Sequence, residues 1–259
     1  MAAVTTPEAP QPERRLVDES RRRNTRTKAG AVLSSDVIVD AALGLVGEHG
    51  AAALSVRRLG ATIGCDPTAI YRYFAGVDEL FLAVGDRLIQ RTLEGYQPGG
   101  HWKENLRALA RRTYAEYVAH PRVAIAVASR VTGGVHERRI IDLVLGELRG
   151  AGFEGEQAVR LYRSFGDFIL AFSAVDADFL ARPDAVRAAD IQRWQDAYGA
   201  VDERELPNLA ALAPIVVAHA ETNTFELCLS LLLDRIEQLA DAARASDPTG
   251  RSDRSDQSG

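Results

Sequence analysis

Residues 55–74 read SVRRLGATIGCDPTAIYRYF, and their punctuation decides the fold. Ser55 can cap a short helix that gathers Val56, Leu59 and Ile63 on one side, and Gly64 halts it. Asp66-Pro67 repeats the start signal, a capping carboxylate followed by proline at the first helical position, and predicts a second helix from Pro67 to Phe74. Two short helices meeting at Gly64-Cys65-Asp66 make a helix-turn-helix unit. Ile70 and Phe74 share a face of the second helix and must turn inward, which leaves Thr68, Tyr71 and Arg72 outside. A hydroxyl, a phenol and a guanidinium are groups that a major groove can partner, through thymine methyls and the O6 and N7 atoms of guanine. Ser55, with the free N–H groups that begin its helix, is placed to hold a phosphate. Arg57 and Arg58 follow it, and either a phosphate contact or plain surface charge suits them.

Working outward, Ser34 or Ser35 caps a helix whose inner face is Ile38, Ala42 and Leu45 and which stops at His49-Gly50. Asp78 opens a fourth helix with Leu80, Val84 and Leu88 on one stripe. Beyond Gln97-Pro98-Gly99-Gly100, helical spacing predicts longer helices at roughly 102–119, 122–131, 136–149, 155–181, 185–198, 206–219 and 223–244. Alternating β-branched runs are absent, so the fold class is all-α. A three-helix N-terminal bundle precedes a larger helical domain, with expected boundaries at 31–91 and 92–245.

The two ends differ from this body. Residues 1–30 hold three prolines and seven Arg/Lys with few large apolar side chains, and 246–259 read SDPTGRSDRSDQSG, compositions that predict a disordered basic arm and a disordered tail. The net charge of −5 does not suggest a nucleic-acid binder, but its distribution does. Residues 14–74 carry ten Arg/Lys against six Asp/Glu, while 75–259 carry 21 against 28. A basic N-terminal segment on an acidic body fits a footprint for polyanion binding, and equally a solvated arm.

Cys65 and Cys228 fit no metal or disulfide spacing, and Cys65 reads as a small apolar plug in the turn. His101, His120, His136 and His219 are scattered, so neither a metal nor a cofactor is expected. No signal-peptide pattern and no run of 18 apolar residues occurs, which leads to the expectation of a cytoplasmic protein without a membrane partner.

The stretch from Leu33 to Val84, with its Ala41-Ala42-Leu43 core, ALSVRRLG, IYRYF and the Asp78-Glu79-Leu80 opening of the fourth helix, closely resembles the DNA-binding domain of the TetR family. LPNLAAL and TFELCLSLLLDRIEQLA are similar to the closing helices of that family's C-terminal domain. The resemblance implies a homodimeric transcriptional repressor that binds palindromic double-stranded operator DNA and is released by a small-molecule effector. A ligand-independent DNA-binding regulator or activator stays open as the alternative. Two positions depart from the family pattern: Val77 stands where a phosphate-reaching lysine is often found, and Tyr73 replaces a histidine and is expected to donate to phosphate. The arm residues Arg22, Arg23, Arg26 and Lys28 are expected to supply the missing affinity, as minor-groove or phosphate contacts.

In the C-terminal half the helix at 155–181 and the last helix are apolar over more than one face. The resemblance implies that one face of each joins a four-helix bundle across a two-fold axis. Trp102, Tyr114, Tyr117, Tyr162, Phe165, Phe168 and Phe172 line an effector cavity or simply fill the core. Arg130, Asp167 and Asp176 interrupt apolar helices, so each must reach solvent, a partner or a ligand. The expected effector contacts are therefore Tyr114, Arg130, Tyr162, Phe165, Asp167, Phe168 and Phe172. Gly150 to Gly155 matches G-x-G-x-x-G, but helical spacing precedes it, so it is an interhelical loop. No catalytic motif occurs, and enzymatic activity is not expected.

Overall fold

The computed structural model describes Thr27, Gly30 and residues 32–246. The arm residues Arg22, Arg23, Arg26 and Lys28 lie outside the described residues, as do residues 247–259. Eleven α-helices and no strand occur among the described residues.

The head is built from local signals. Helix α1 (Ser35–His49) is capped by Ser34, whose side chain accepts the Val37 N–H, and it stops at Gly50 with φ of 79°. A 3₁₀ turn at Ala51–Ala53, which the sequence pattern did not indicate, leads into α2 (Val56–Ile63), capped by Ser55 through the Arg58 N–H. Gly64 ends α2 in the left-handed region at φ 74°, where a side chain would be strained. Asp66 caps α3 (Pro67–Ile70), accepting from both the backbone N–H and the hydroxyl of Thr68 at 2.8 and 2.7 Å.

The expected helix from Pro67 to Phe74 is shorter than its pattern: α3 closes at Ile70 and the chain continues as a turn. Arg72 and Tyr73 reach back only three residues, to the Ala69 and Ile70 carbonyls, so the coil tightens before Phe74. Ile70 and Phe74 are nonetheless buried, and the outward assignment of Thr68, Tyr71 and Arg72 survives the change.

Helix α4 (Val77–Leu93) starts one residue before Asp78 and runs out of the head. The body follows as α5 (Trp102–Ala119), α6 (Pro121–Val127), α7 (Val135–Gly150), α8 (Gly155–Ala181), α9 (Asp184–Gly199), α10 (Pro207–Ala218) and α11 (Phe225–Ser246). Helix α6 ends at Val127 rather than near 131, which leaves residues 128–134 as a loop.

Two cores result. Ile38, Leu45, Leu59, Ile70 and Phe74 join Leu80, Val84 and Leu88 of α4, but this head core closes only with Val123, Ala124 and Val127 of α6 and with Tyr117. The body core gathers Trp102, Leu106, Leu148, Phe153, Phe165, Ile169 and the inner face of α11. That inner face is Phe225, Leu229, Leu233, Ile236 and Ala240; Leu232 and Leu239 are only half-buried. Three polar ties hold α5 against α11: Lys103 to Asp234 and Glu237 at 2.8 and 2.6 Å, Arg107 to Ser230 at 3.0 Å, and a two-pronged Arg111–Glu226 pair at 2.8 Å. The α9–α10 pair packs mainly against itself, with Trp194 Nε1 donating to the Val216 carbonyl at 3.1 Å.

Candidate functional site

The head presents one polar face. Thr68, Tyr71 and Arg72 are exposed at α3 and its following turn, and Ser55 and Arg57 are exposed at the start of α2. Tyr71 is 57% exposed, unusual for so large a ring without a partner surface. The Ser55 oxygen accepts from the Arg58 N–H at 3.2 Å, which leaves its own O–H to donate. Cys65 packs against the head core, and burial pushes its thiol up, the opposite of what a reactive cysteine needs.

Tyr73 departs from expectation. Its hydroxyl donates to the Leu33 carbonyl at 2.7 Å, half-buried, so the proton expected for a phosphate already serves inside the protein. The bond fastens the segment ahead of α1 to the recognition turn.

A cavity of about 120 Å³ lies where α4, α5, α6, α7 and α8 converge. Ile89, Leu109, Val127, Ile140, Val144 and Ile169 make most of its wall, and Tyr117, Tyr162 and Phe165 add rings. Gly85 of α4 forms part of it directly, and its missing side chain matters: a methyl there would sit 3.0 Å from Thr132 Cγ2. Thr132, Arg130 and Glu137 supply the polar edge. An adjoining polar depression of about 190 Å³ shares Arg130, Glu137 and Tyr162 and adds Ser129, Arg163 and Asp167.

Of the residues expected to meet an effector, the structure brings Arg130, Tyr162 and Phe165 to the cavity and places Asp167 in the outer depression, paired with Arg163 at 3.2 Å. Tyr114, Phe168 and Phe172 are elsewhere. Their rings surround Phe225, with Tyr114 stacked on it at 4.1 Å and Phe168 and Phe172 at 5.8 and 5.5 Å. The Tyr114 hydroxyl donates to Asp176 at 2.5 Å and accepts from Asn223 at 2.6 Å, which gives the Asp176 carboxylate its partners. Burial and Asp176 push the Tyr114 phenol up to about 12. These rings weld α5, α8 and α11 together and face away from the cavity. The wall residues Gly85, Thr113 and Glu137 were not singled out by pattern, since no periodic signal marks a glycine or a first-turn glutamate as a lining residue.

Between cavity and head stands a joint that sequence reasoning missed altogether. Helix α7 begins after Gly134, which has no side chain to cap it. Asp86 of α4 caps it instead: its carboxylate accepts the N–H of His136 at 3.1 Å and of Glu137 at 2.9 Å, and pairs with the His136 ring at 2.8 Å. A methyl on Gly134 would lie 2.1 Å from Asp86 Cγ, so glycine is what admits the carboxylate. Nearby, Arg130 at the cavity edge donates to Asp78 in the first turn of α4 at 2.6 Å. Helix α6 grips the head from a second direction, with Arg122 donating to the Gly47 and Glu48 carbonyls at 3.2 and 2.7 Å.

With this geometry established, comparison with known proteins gives consistent results. Residues 38–84 match the family described as bacterial regulatory proteins, tetR family, and residues 94–240 match the tetracyclin repressor-like C-terminal domain. The HTH-type transcriptional repressor DrrR1 of Streptomyces coeruleorubidus is 32% identical over 146 residues, which cover 56% of this chain and 53%, about half, of that protein. Among solved structures, ActR of Streptomyces coelicolor in complex with actinorhodin is similar at TM-score 0.71 and 25% identity, over 83% of this chain and 100% of that one. A second TetR regulator from Streptomyces coelicolor shares the fold at TM-score 0.69 and 24% identity, over 80% of this chain and 99% of that one. No helix among the described residues is long and apolar enough to cross a membrane. A helix-turn-helix head matched over 38–84 and an all-helical body matched over 94–240 mean that the chain belongs to the TetR family of DNA-binding transcriptional regulators.

Proposed function

We propose that this protein is a homodimeric repressor that holds a palindromic operator through α3 and lets go when a small molecule occupies the cavity. The observation that carries the reading is that α4 belongs to both parts. Leu80, Val84 and Leu88 are head core, while Gly85 and Ile89 of the same helix wall the cavity. A ligand pressing on that wall acts directly on the helix that carries the reading head. ActR, solved with actinorhodin bound, supports a ligand-filled body, and the name of DrrR1 supports repression. Moving the protein from almost fully bound to almost fully released needs a ligand that prefers the released conformer about 10⁴-fold, roughly 5.5 kcal/mol.

Thr68, Tyr71 and Arg72 read base edges in this scheme, Ser55 and Arg57 hold phosphates, and the basic arm adds affinity that does not depend on sequence. Fragments of the encoding genome that the purified protein retains give the operator. On that operator, Arg72→Ala is expected to cost about 1–3 kcal/mol and to relax preference at one base position. Equal affinity of wild type and variant across single-base substitutions of the site would remove Arg72 from the reading set.

The second copy binds through α8 and α11. Val175 of α8 is 70% exposed, and Leu227 and Leu231, one turn apart on α11, are 59% and 63% exposed. Apolar side chains in such a row call for a covering surface, and the two-fold symmetry of an operator fits a second copy. Sedimentation at micromolar concentration is expected to give a dimer for wild type and a monomer for Leu231→Asp. A monomeric wild type would refute this arrangement.

A further inference from the structure

We propose that the effector is an uncharged, largely apolar ring compound bearing a hydroxyl group, and that Tyr117 and Glu137 read that hydroxyl. The inference deepens the reading of the cavity as an effector site and rests on it. The apolar wall sets the body of the ligand. A cavity of about 120 Å³ is close to the volume, roughly 150 Å³, at which an apolar cavity accepts benzene. One ring therefore fills the inner space, and anything larger extends into the polar depression past Tyr162.

The polar requirement is set by two groups that face the cavity with capacity unused. Tyr117 is 3% exposed, yet its hydroxyl has no hydrogen-bond partner among the described residues. Burial, and behind it the charge of Glu137, pushes this phenol up to about 12, so it remains an O–H donor at any physiological pH. Glu137 uses Oε2 to accept the Gly133 N–H at 2.6 Å and the Thr132 hydroxyl at 3.2 Å. Its Oε1 accepts nothing among the described residues. Both residues line the same cavity, and the charge of Glu137 is felt at the phenol.

A hydroxyl both accepts and donates, so a single one takes the Tyr117 proton and gives its own to Glu137. A hydrocarbon leaves the phenol unpaired in an apolar wall, which a hydrogen-bonding site penalises. A carboxylate meets the like charge of Glu137 at the half-buried cavity edge. The cation at the edge does not reverse this, because Arg130 is already paired with Asp78 at 2.6 Å.

The test titrates the full chain with 2-naphthol, naphthalene and 2-naphthoate. Wild type is expected to bind 2-naphthol at least tenfold more tightly than either analogue. Tyr117→Phe keeps the ring and should bring 2-naphthol and naphthalene to within about twofold, while Glu137→Gln should improve 2-naphthoate. Equal binding of 2-naphthol and naphthalene by wild type overturns the proposal. So does a stronger affinity for 2-naphthoate, a preference that survives Tyr117→Phe, or binding of none of the three. Operator affinity is measured in parallel. A hydroxyl preference without any loss of operator binding leaves the recognition standing and rejects the release mechanism.

Discussion

Asp86→Ala is expected to keep operator affinity within a few fold of wild type while reducing ligand-driven release at least tenfold. Asp86 sits on α4 but its carboxylate is the N-cap of α7, so the wall of the cavity and the carrier of the head share one side chain. Removing it uncaps two backbone N–H groups of α7 and strips the His136 ring of its partner, at a cost of about 1–2 kcal/mol to folding. That is small beside the several kcal/mol by which an inducer must separate two conformers, so the variant should fold and still bind DNA. It should lose the rigid path by which displacement of α7 drags α4. Asp86→Asn, which keeps an acceptor for the same N–H groups, is expected to retain most of the response. Anisotropy of a labelled operator, read with and without saturating ligand, gives the release factor for each protein. Full release in Asp86→Ala would transfer the coupling to the Arg130–Asp78 pair or to the Arg122 grip on α1.

Phe225→Ala is expected to cost about 3–5 kcal/mol of stability, the range for emptying a phenylalanine site in a packed core. Phe225 is 2% exposed, and three aromatic rings from α5 and α8 converge on it. The residue also begins α11, with its N–H held by Asn223, so the hole opens where that helix is anchored. For a chain of this size each kcal/mol moves Tm by about 2–4 °C, and the fall should be roughly 10 °C at fixed protein concentration. A shift below about 3 °C would mean that the ring cluster contributes little to folding. Phe168 belongs to the same cluster, so its truncation should weaken the fold without changing which ligands bind.

Most helix boundaries were legible because their causes are local. Ser34, Ser55, Asp66-Pro67 and Gly64 act on backbone groups two to four residues away, and a sequence displays such relations directly. The reading face was legible for a related reason: burial of Ile70 and Phe74 leaves Thr68, Tyr71 and Arg72 only one direction to point. The cavity was harder to read. Helix α8 packs against α5, α6, α7 and α11 at once, and periodicity tells that Phe165, Phe168 and Phe172 are apolar without telling which neighbour each one meets. Phe165 turns to the cavity and the other two turn to α11. Tyr73 and Asp86 were illegible for a different reason. Each acts on a backbone group 40 or more positions away, and nothing in the residues around either one announces such a partner.

Helix α9 has no buried residue, and α10 buries only Ala213. The hairpin they form can therefore unravel while both cores stay shut, at the cost of its own helical bonds and a few surface pairs. Its amides should exchange with solvent through such local openings, whereas the inward-facing amides of α8 and α11 wait for the whole chain to unfold. Two scales of stability coexist in one polypeptide, and among the described residues a protease should cut between 182 and 224 before it reaches either core.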